Sequence, residues 1–166
     1  TINSESIYLE PNLPPLAQRL DQLDALADIA GPRAVAWRFD PVCFFQTKKD
    51  GPVQSNLTHF PLIAQKAADL GITRCVTSFF DSYLKIDRRI NRLYKEKDQF
   101  VKFIDPPMEK KATVIQNMAK NLQPLGLKLH LCCEKKVFET LPPKCPVEQN
   151  ACIDGHYLRT LYKGAC

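Results

Sequence analysis

The chain has 166 residues, 45% of them hydrophobic and 25% charged, with a formal net charge of +5. This length suits one domain with its own core, so we expect residues 1–166 to form a single domain. No stretch approaches the roughly 20 apolar residues that a membrane-spanning helix needs, and the amino terminus lacks a secretory-signal pattern, so we expect a cytoplasmic protein.

A helix is the first element that the pattern predicts. In residues 14–32 leucine and alanine recur at three- and four-residue steps between a Pro-Pro start and a Gly-Pro stop. The short apolar run AVAWRF (34–39) follows and predicts a buried strand, which Pro41 should end. Residues 40–56 are polar and predict a loop of a length that is often functional.

The helix-strand pattern then repeats twice. We predict a helix near 59–70, a strand at 74–80, a helical region at 83–103, a helix at 108–122, a strand at 127–133 and a last short helix at 155–162. A proline-rich loop occupies 141–146. This alternation is typical of repeated βα units, so we expect an α/β fold with a parallel sheet.

Polar side chains stand at the end of each predicted strand. Right-handed crossovers place the carboxyl ends of parallel strands at one edge of the sheet, where α/β proteins bind ligands. We therefore interpret this edge as a candidate site, with these residues: Arg38, Asp40, Ser78, Asp81, Cys132, Cys133 and Glu134.

Structural roles for the same side chains are equally open. Arg38 at the end of a buried strand needs a partner, and Asp40 shares its face by the two-residue strand period. An Arg38–Asp40 or Arg38–Asp81 ion pair is as reasonable as ligand contact. Asp81 also precedes a helix that it could cap.

The chain has seven cysteines. Cys43 and Cys75 lie in apolar surroundings and are expected to be buried small hydrophobes. Without a secretory signal, thiols or metal ligands are favoured over disulfides. The candidate metal ligands, for iron-sulfur or zinc, are Cys132, Cys133, Cys145, Cys152 and Cys166.

Positive charge is concentrated between residues 85 and 102, with seven basic and three acidic side chains. Lysine and arginine can neutralise phosphates, so Arg88, Arg89 and Arg92 are candidate nucleic-acid contacts. The alternative is an ordinary solvated helix.

Four segments resemble one family. WRFDPV (37–42), SFFDSYLK (78–85), LEPNLP (9–14) and CID (152–154) resemble segments of the uncharacterised family called domain of unknown function 1848. The resemblance implies a partial TIM-type barrel of the radical-SAM kind, distantly similar to spore photoproduct lyase, with an iron-sulfur cluster and S-adenosylmethionine as cofactors. It makes Cys133 and Cys152 the leading pair of metal ligands. The cysteine motif that ends the family's sequences is missing here, so we expect this chain to be part of a larger barrel.

Three functional hypotheses follow. The first is part of an iron-sulfur, radical-SAM-like protein, in which Arg38 and Lys85 bind an anionic group of a small molecule. The second is a nucleic-acid-binding module that uses the basic helix, and the third is a zinc or redox protein with cysteine ligands. An incomplete barrel leaves open sheet edges, so a homodimer or a second barrel half is the expected partner.

Overall fold

The computed structural model describes residues 1–82, 84–96, 99–151 and 154–161, apart from the side chain of His156. The strands are β1 (Trp37–Val42), β2 (Phe44–Gln46), β3 (Gln54–Ser55), β4 (Arg74–Phe79), β5 (Lys102–Ile104), β6 (Lys128–Cys132) and β7 (Val147–Asn150). The helices are α1 (Leu16–Ala30), α2 (Phe60–Asp69), α3 (Leu84–Glu96), α4 (Met108–Leu122), α5 (Lys135–Thr140) and α6 (Gly155–Leu161). None of these helices is both long and apolar enough to cross a bilayer.

Four strands form the main sheet, in the order β1-β4-β6-β7, and all are parallel. This confirms the predicted α/β fold with repeated strand-helix units. A second, antiparallel sheet has the order β3-β2-β5. In the part of the chain that the structure describes, β1 and β7 are the end strands of an open sheet, so the predicted TIM-type barrel is not confirmed.

The two faces of the main sheet differ in chemistry because successive strand residues point to opposite sides. One face carries the apolar side chains of Trp37, Phe39, Cys75, Leu129 and Leu131, each no more than 1% exposed. They form the core together with residues of α1, α2, α4 and α5. Burying each large apolar side chain stabilises the fold by about 1.5–3 kcal/mol.

The opposite face is polar and carries the second set of strand residues. It is formed by Arg38, Arg74, Val76, Ser78, His130, Cys132, Glu148 and Asn150. α6 lies against this face, where Arg74 stacks 3.9 Å from the centre of the Tyr157 ring. Core packing and polar chemistry are thus separated by the thickness of one sheet.

The prediction that Pro41 ends β1 is wrong, because the strand continues to Val42. The Asp40–Pro41 peptide is cis, and the pairing of β1 with β4 shifts between Phe39 and Val42. Proline cannot donate a ladder hydrogen bond, but an end strand with an irregular pairing tolerates it.

The predicted loop at 40–56 and the predicted helical region at 83–103 both contain strands of the second sheet. β2 and β3 lie in the first, and β5 follows α3 in the second. Asn56 fixes the entry to β2: its Oδ1 accepts from Cys43 N at 2.9 Å and its Nδ2 donates to Pro41 O at 2.9 Å. The chain segments that follow β1 and β4 therefore form a second, small antiparallel sheet.

The sequence pattern also missed α5 and β7. β7 reads Val-Glu-Gln-Asn and has one apolar residue, so no alternation marks it as a strand. Its parallel pairing with β6, from Leu129 opposite Val147 to Cys132 opposite Asn150, creates the strand through tertiary contact.

Candidate functional site

Three of the predicted residues meet at the carboxyl ends of β1 and β4. Arg38 donates to Asp40 Oδ2 from Nη2 at 2.6 Å and from Nε at 3.2 Å. Ser78 Oγ donates to Asp40 Oδ1 at 2.5 Å. Of the two ion pairs left open by the sequence, Arg38–Asp40 is the one that forms.

Asn3, which the sequence did not single out, supports Asp40 from the opposite side. Asp40 N donates to Asn3 Oδ1 at 2.9 Å, and Asn3 Nδ2 donates to Asp40 O at 3.2 Å and to Glu10 Oε1 at 3.0 Å. The neighbouring Ile2 N donates to Arg38 O at 3.0 Å. The amino-terminal segment therefore fixes the backbone on which Arg38 and Asp40 stand.

Two thiols lie at the end of β6, next to this network. The Sγ atoms of Cys132 and Cys133 are 3.7 Å apart. Cys132 is buried and Cys133 is exposed. Cys133 has φ 61°, a left-handed conformation that is uncommon outside glycine. Consecutive residues of a continued strand would point to opposite faces, so this turn is what brings the two thiols together.

The Arg38 guanidinium lies between the Cys132 thiol and the Asp40 carboxylate, and it interacts with both. Its hydrogen bonds with Asp40 raise the pKa of Arg38, and a side-chain contact with Cys132 acts in the same direction. A permanent cation beside a thiol favours the thiolate, which is the nucleophilic and metal-binding form of cysteine.

Glu134 follows the two cysteines in sequence and lies at the end of β4. Its Oε1 accepts from Phe79 N at 2.7 Å, and burial raises the pKa of its carboxyl group. The nearby cation is Lys111, only 8% exposed, whose Nζ lies 2.7 Å from Asp105 Oδ1. Lys111 was not predicted from the sequence, although it stands four residues before the buried Ile115 and so lies on the inner face of α4.

His130 shares the face of Cys132, as strand alternation predicts. It is 2% exposed, and among the residues that the structure describes neither ring nitrogen has a hydrogen-bond partner. Its Nδ1 lies 3.5 Å from Glu148 Oε2, and burial lowers the pKa of the imidazole. On the same face Arg74 pairs with Asp154 at 2.8 Å, so His130 lies near charged groups of both signs.

Asp81 and Lys85 are placed less centrally than predicted. Asp81 is exposed, and its charge contributes to the raised pKa of Glu134. Asp81 was also predicted to cap the helix that follows it. The residue directly before α3 is residue 83, which lies outside the described residues, so this prediction is not tested. Lys85 is exposed on α3 and shares a surface hollow with Arg88, Arg89 and Arg92. Among the described contacts, none joins either residue to Arg38.

The remaining cysteine predictions divide into three groups. Cys145, a candidate metal ligand, is partly exposed and packs against the apolar core. Cys43 and Cys75 are 6% and 0% exposed, as expected, and burial raises the pKa of the Cys43 thiol to about 12. Cys152 and Cys166, predicted as metal ligands, lie outside the described residues. Within the described ranges, no three His, Cys, Asp or Glu side chains form a group that could hold a metal ion.

Comparisons with known proteins identify the family and leave its activity open. A family model described as domain of unknown function (DUF1848) matches residues 1–165. Neither curated proteins nor solved structures gave a match. The chain therefore belongs to the DUF1848 family, as the four sequence segments predicted.

Proposed function

We propose that the carboxyl edge of the main sheet is a metal-dependent ligand site. Cys132 and Cys133 bind a thiophilic metal there, and Arg38 binds an acidic group of a small molecule beside it. The observation that carries the proposal is the 3.7 Å separation of the two Sγ atoms next to the Arg38 guanidinium.

The sulfur separation supports a single tetrahedral ion. Zinc-sulfur bonds of about 2.3 Å at the tetrahedral angle separate two sulfurs by about 3.8 Å. Zinc binding needs deprotonated thiols, and the positive charge beside Cys132 is the Arg38 guanidinium. Two thiolates are half of a structural zinc shell. Cys152 and Cys166, predicted from the sequence, are the candidates for the other half.

The described thiols give less support to the cluster that the family resemblance implies. A four-iron cluster is held by four cysteines, one on each iron, whereas two sulfurs at 3.7 Å suit one metal ion. A radical-SAM cluster needs three cysteines, and the described edge offers two. We therefore derive no reaction step from an iron-sulfur cluster or from S-adenosylmethionine.

Arg38 supports the ligand-binding half of the proposal. Asp40 fixes its guanidinium through two hydrogen bonds, and Ser78 in turn fixes Asp40. A guanidinium oriented in this way is suited to a carboxylate or phosphate. The Arg38 side chain keeps 29% of its surface exposed, so a ligand can reach it.

Metal analysis tests the proposal. The chain is purified without oxygen, and zinc, iron and sulfide are measured for the wild type and for Cys132→Ser and Cys133→Ser. Cys145→Ser is the matched control: Cys145 was also a candidate ligand, but its partly exposed thiol packs against the apolar core and lies outside the pair. We expect about one zinc per chain in the wild type and control, and loss of most of it in both other variants.

Two results would contradict the proposal: a wild-type chain that binds no metal after reconstitution, or full metal content in both variants. Iron with an equal amount of sulfide would instead favour a cluster over a single ion.

Nucleic-acid binding is a second candidate, favoured by the outer face of α3. Lys85, Arg88, Arg89 and Arg92 surround one surface hollow, and α3 has no buried residue. If they contact phosphates, affinity for an oligonucleotide falls steeply with salt. Replacing the three arginines with alanine should then weaken binding and flatten the salt dependence. Unchanged affinity would remove this candidate.

A further inference from the structure

A cavity of about 440 Å³ lies beside the ends of β1 and β4, and neither Cys132 nor Cys133 lines it. Its walls come from the amino-terminal segment, from the chain that follows β1 and β4, and from one side of α3. The volume lies within the range of about 300–1,000 Å³ that is usual for small-molecule sites. The cavity is therefore large enough for one small organic ligand.

The apolar side of α3 faces this cavity. Ile86, Ile90 and Leu93 are four and three residues apart, so they lie on one stripe of the helix, and all three line the cavity. The structure describes the whole of α3, and none of its residues is buried. In α1, α2 and α4 the apolar stripe packs into the core instead. The stripe of α3 is therefore available to an apolar ligand.

Aromatic rings form another part of the lining. Phe80 and Phe103 stack with their ring centres 4.4 Å apart. Tyr8 and Tyr94 also line the cavity, and Tyr94 OH donates to Tyr8 O at 2.5 Å. Aromatic rings attract one another in stacked and edge-to-face contacts, so these walls favour a ligand that has an aromatic ring itself.

The carboxylates near the cavity already have cationic partners. Glu10 is an acidic residue of the lining, and its Oε2 lies 3.7 Å from Nη1 of the buried Arg19. Asp40 stands behind the lining and pairs with Arg38 at 2.6 Å. Burial raises the pKa of the Cys43 thiol to about 12, so this thiol is neutral at pH 7. The described part of the inner wall therefore has no unbalanced negative charge.

The unbalanced charge of the cavity is positive and lies at its rim. Arg89 is exposed on α3 and lines the cavity, and no ion pair of Arg89 occurs in the part of the chain that the structure describes. The acidic residues of α3, Asp87 and Glu96, do not line the cavity. Arg89 also borders the surface hollow formed with three further basic residues, Lys85, Arg88 and Arg92. Positive charge of this kind attracts anions to the rim.

We infer that this cavity binds a small aromatic acid, with its ring between the aromatic walls and the apolar stripe of α3 and its carboxylate beside Arg89. A guanidinium suits a carboxylate because it can donate two parallel hydrogen bonds to it. The site is distinct from the proposed metal centre and does not depend on it.

Three probes of similar size test the inference: 3-phenylpropionate, its neutral amide, and 3-cyclohexylpropionate, which keeps the charge and lacks the aromatic ring. Binding to the full chain is measured by calorimetry and by amide chemical shifts. We expect 3-phenylpropionate to bind about fivefold more tightly than its amide at low salt, because Arg89 is exposed and the pair is partly screened. It should also bind about two- to tenfold more tightly than the cyclohexyl acid. The shift changes should be largest for lining residues such as Ile90 and Phe103.

Arg89→Gln tests the charge at the rim. It should abolish the preference for the acid over the amide and leave amide binding unchanged. Arg88→Gln is the matched control, because Arg88 is the adjacent arginine, is equally exposed on α3 and does not line the cavity. The preference should persist in this control.

Ile90→Trp tests the cavity itself. The larger ring fills the space, so binding of all three probes should disappear. Leu84→Trp is its control, because Leu84 lies on the same helix, is 75% exposed and does not line the cavity.

Four results would each overturn the inference. They are no binding of 3-phenylpropionate by the wild type, equal or tighter binding of either of the other probes, an equal effect of Arg88→Gln and Arg89→Gln, and shift changes centred on Arg38. The last result would assign the acid to the site of the proposed function instead.

Discussion

The two faces of the main sheet are formed by alternate residues of the same strands, and they differ in burial and in polarity. Trp37, Phe39 and Leu131 are almost completely buried on one face, and Phe39 packs edge-on against Phe60 at 5.1 Å. Arg38, Ser78 and Cys132 alternate with residues of this kind and face the other way. The first face supplies stability through apolar burial, and the second supplies hydrogen-bonded charge.

This difference indicates that substitutions on the polar face can alter binding without unfolding the protein. Apolar burial is distributed over many contacts, whereas the polar face depends on a few groups such as Asp40, which accepts from both Arg38 and Ser78. Substitutions on the two faces should therefore differ in size, in pH dependence and in their effect on binding.

The largest expected effect lies on the apolar face. Phe39→Ala removes a ring that is 0% exposed, so we expect a loss of about 3–5 kcal/mol in the free energy of unfolding. Phe100→Ala is the control, because Phe100 is 43% exposed and should cost less than about 1 kcal/mol. Denaturant unfolding measures both. Equal losses would contradict the assignment of the core to this face.

A smaller loss is expected at the polar network. Asp40→Asn leaves the Arg38 guanidinium without its anionic partner, so we expect a loss of about 1.5–3 kcal/mol. Ser78→Ala removes one hydrogen bond to the same carboxylate and should cost about 1 kcal/mol. The ratio of the two losses, measured by denaturant unfolding, shows whether the charge or the hydroxyl matters more. A larger loss for Ser78→Ala would mean that the ion pair is not the stabilising element.

His130 should make the polar face sensitive to pH. Burial lowers the folded-state pKa of His130 below its unfolded value of about 6.5. As the pH falls through that unfolded value, the unfolded chain takes up the proton first, so stability is intact above it and lost below it. His130→Leu should flatten the decrease between pH 7 and pH 5, measured by denaturant unfolding. The same pH dependence in this variant would assign the effect to other groups.

The smallest effect is expected on α3. The ion pair of Arg92 with Glu96 is exposed and 3.9 Å long, and the helix has no buried residue. Replacing Arg88, Arg89 and Arg92 with alanine should therefore change stability by less than about 0.5 kcal/mol. Thermal unfolding checks this. A large loss would show that the basic face has a structural role and would complicate its use in the nucleic-acid test.

Periodicity was sufficient for the elements with regular apolar spacing. α1, α2, α4 and the parallel strands β1, β4 and β6 were all predicted, because each buries a repeated apolar stripe. β7 and the strands of the second sheet were not, since a strand such as Gln54–Ser55 is defined by its partner β2 and not by its own composition.

The candidate site was predictable in its location and not in its contacts. Strand alternation placed Arg38 with Asp40 and His130 with Cys132. It could not give Asn3, which reaches Asp40 across 37 positions of sequence, or the left-handed turn at Cys133 that brings two thiols together. Both depend on tertiary geometry that no local pattern records.

The metal coordination at Cys132 and Cys133 is the most direct test of the proposed site. X-ray absorption of the zinc-loaded chain should give at least two sulfur neighbours at about 2.3 Å, and Cys132→Ser with Cys133→Ser should remove two of them. Coordination by nitrogen and oxygen alone, at about 2.0–2.2 Å, would contradict the account.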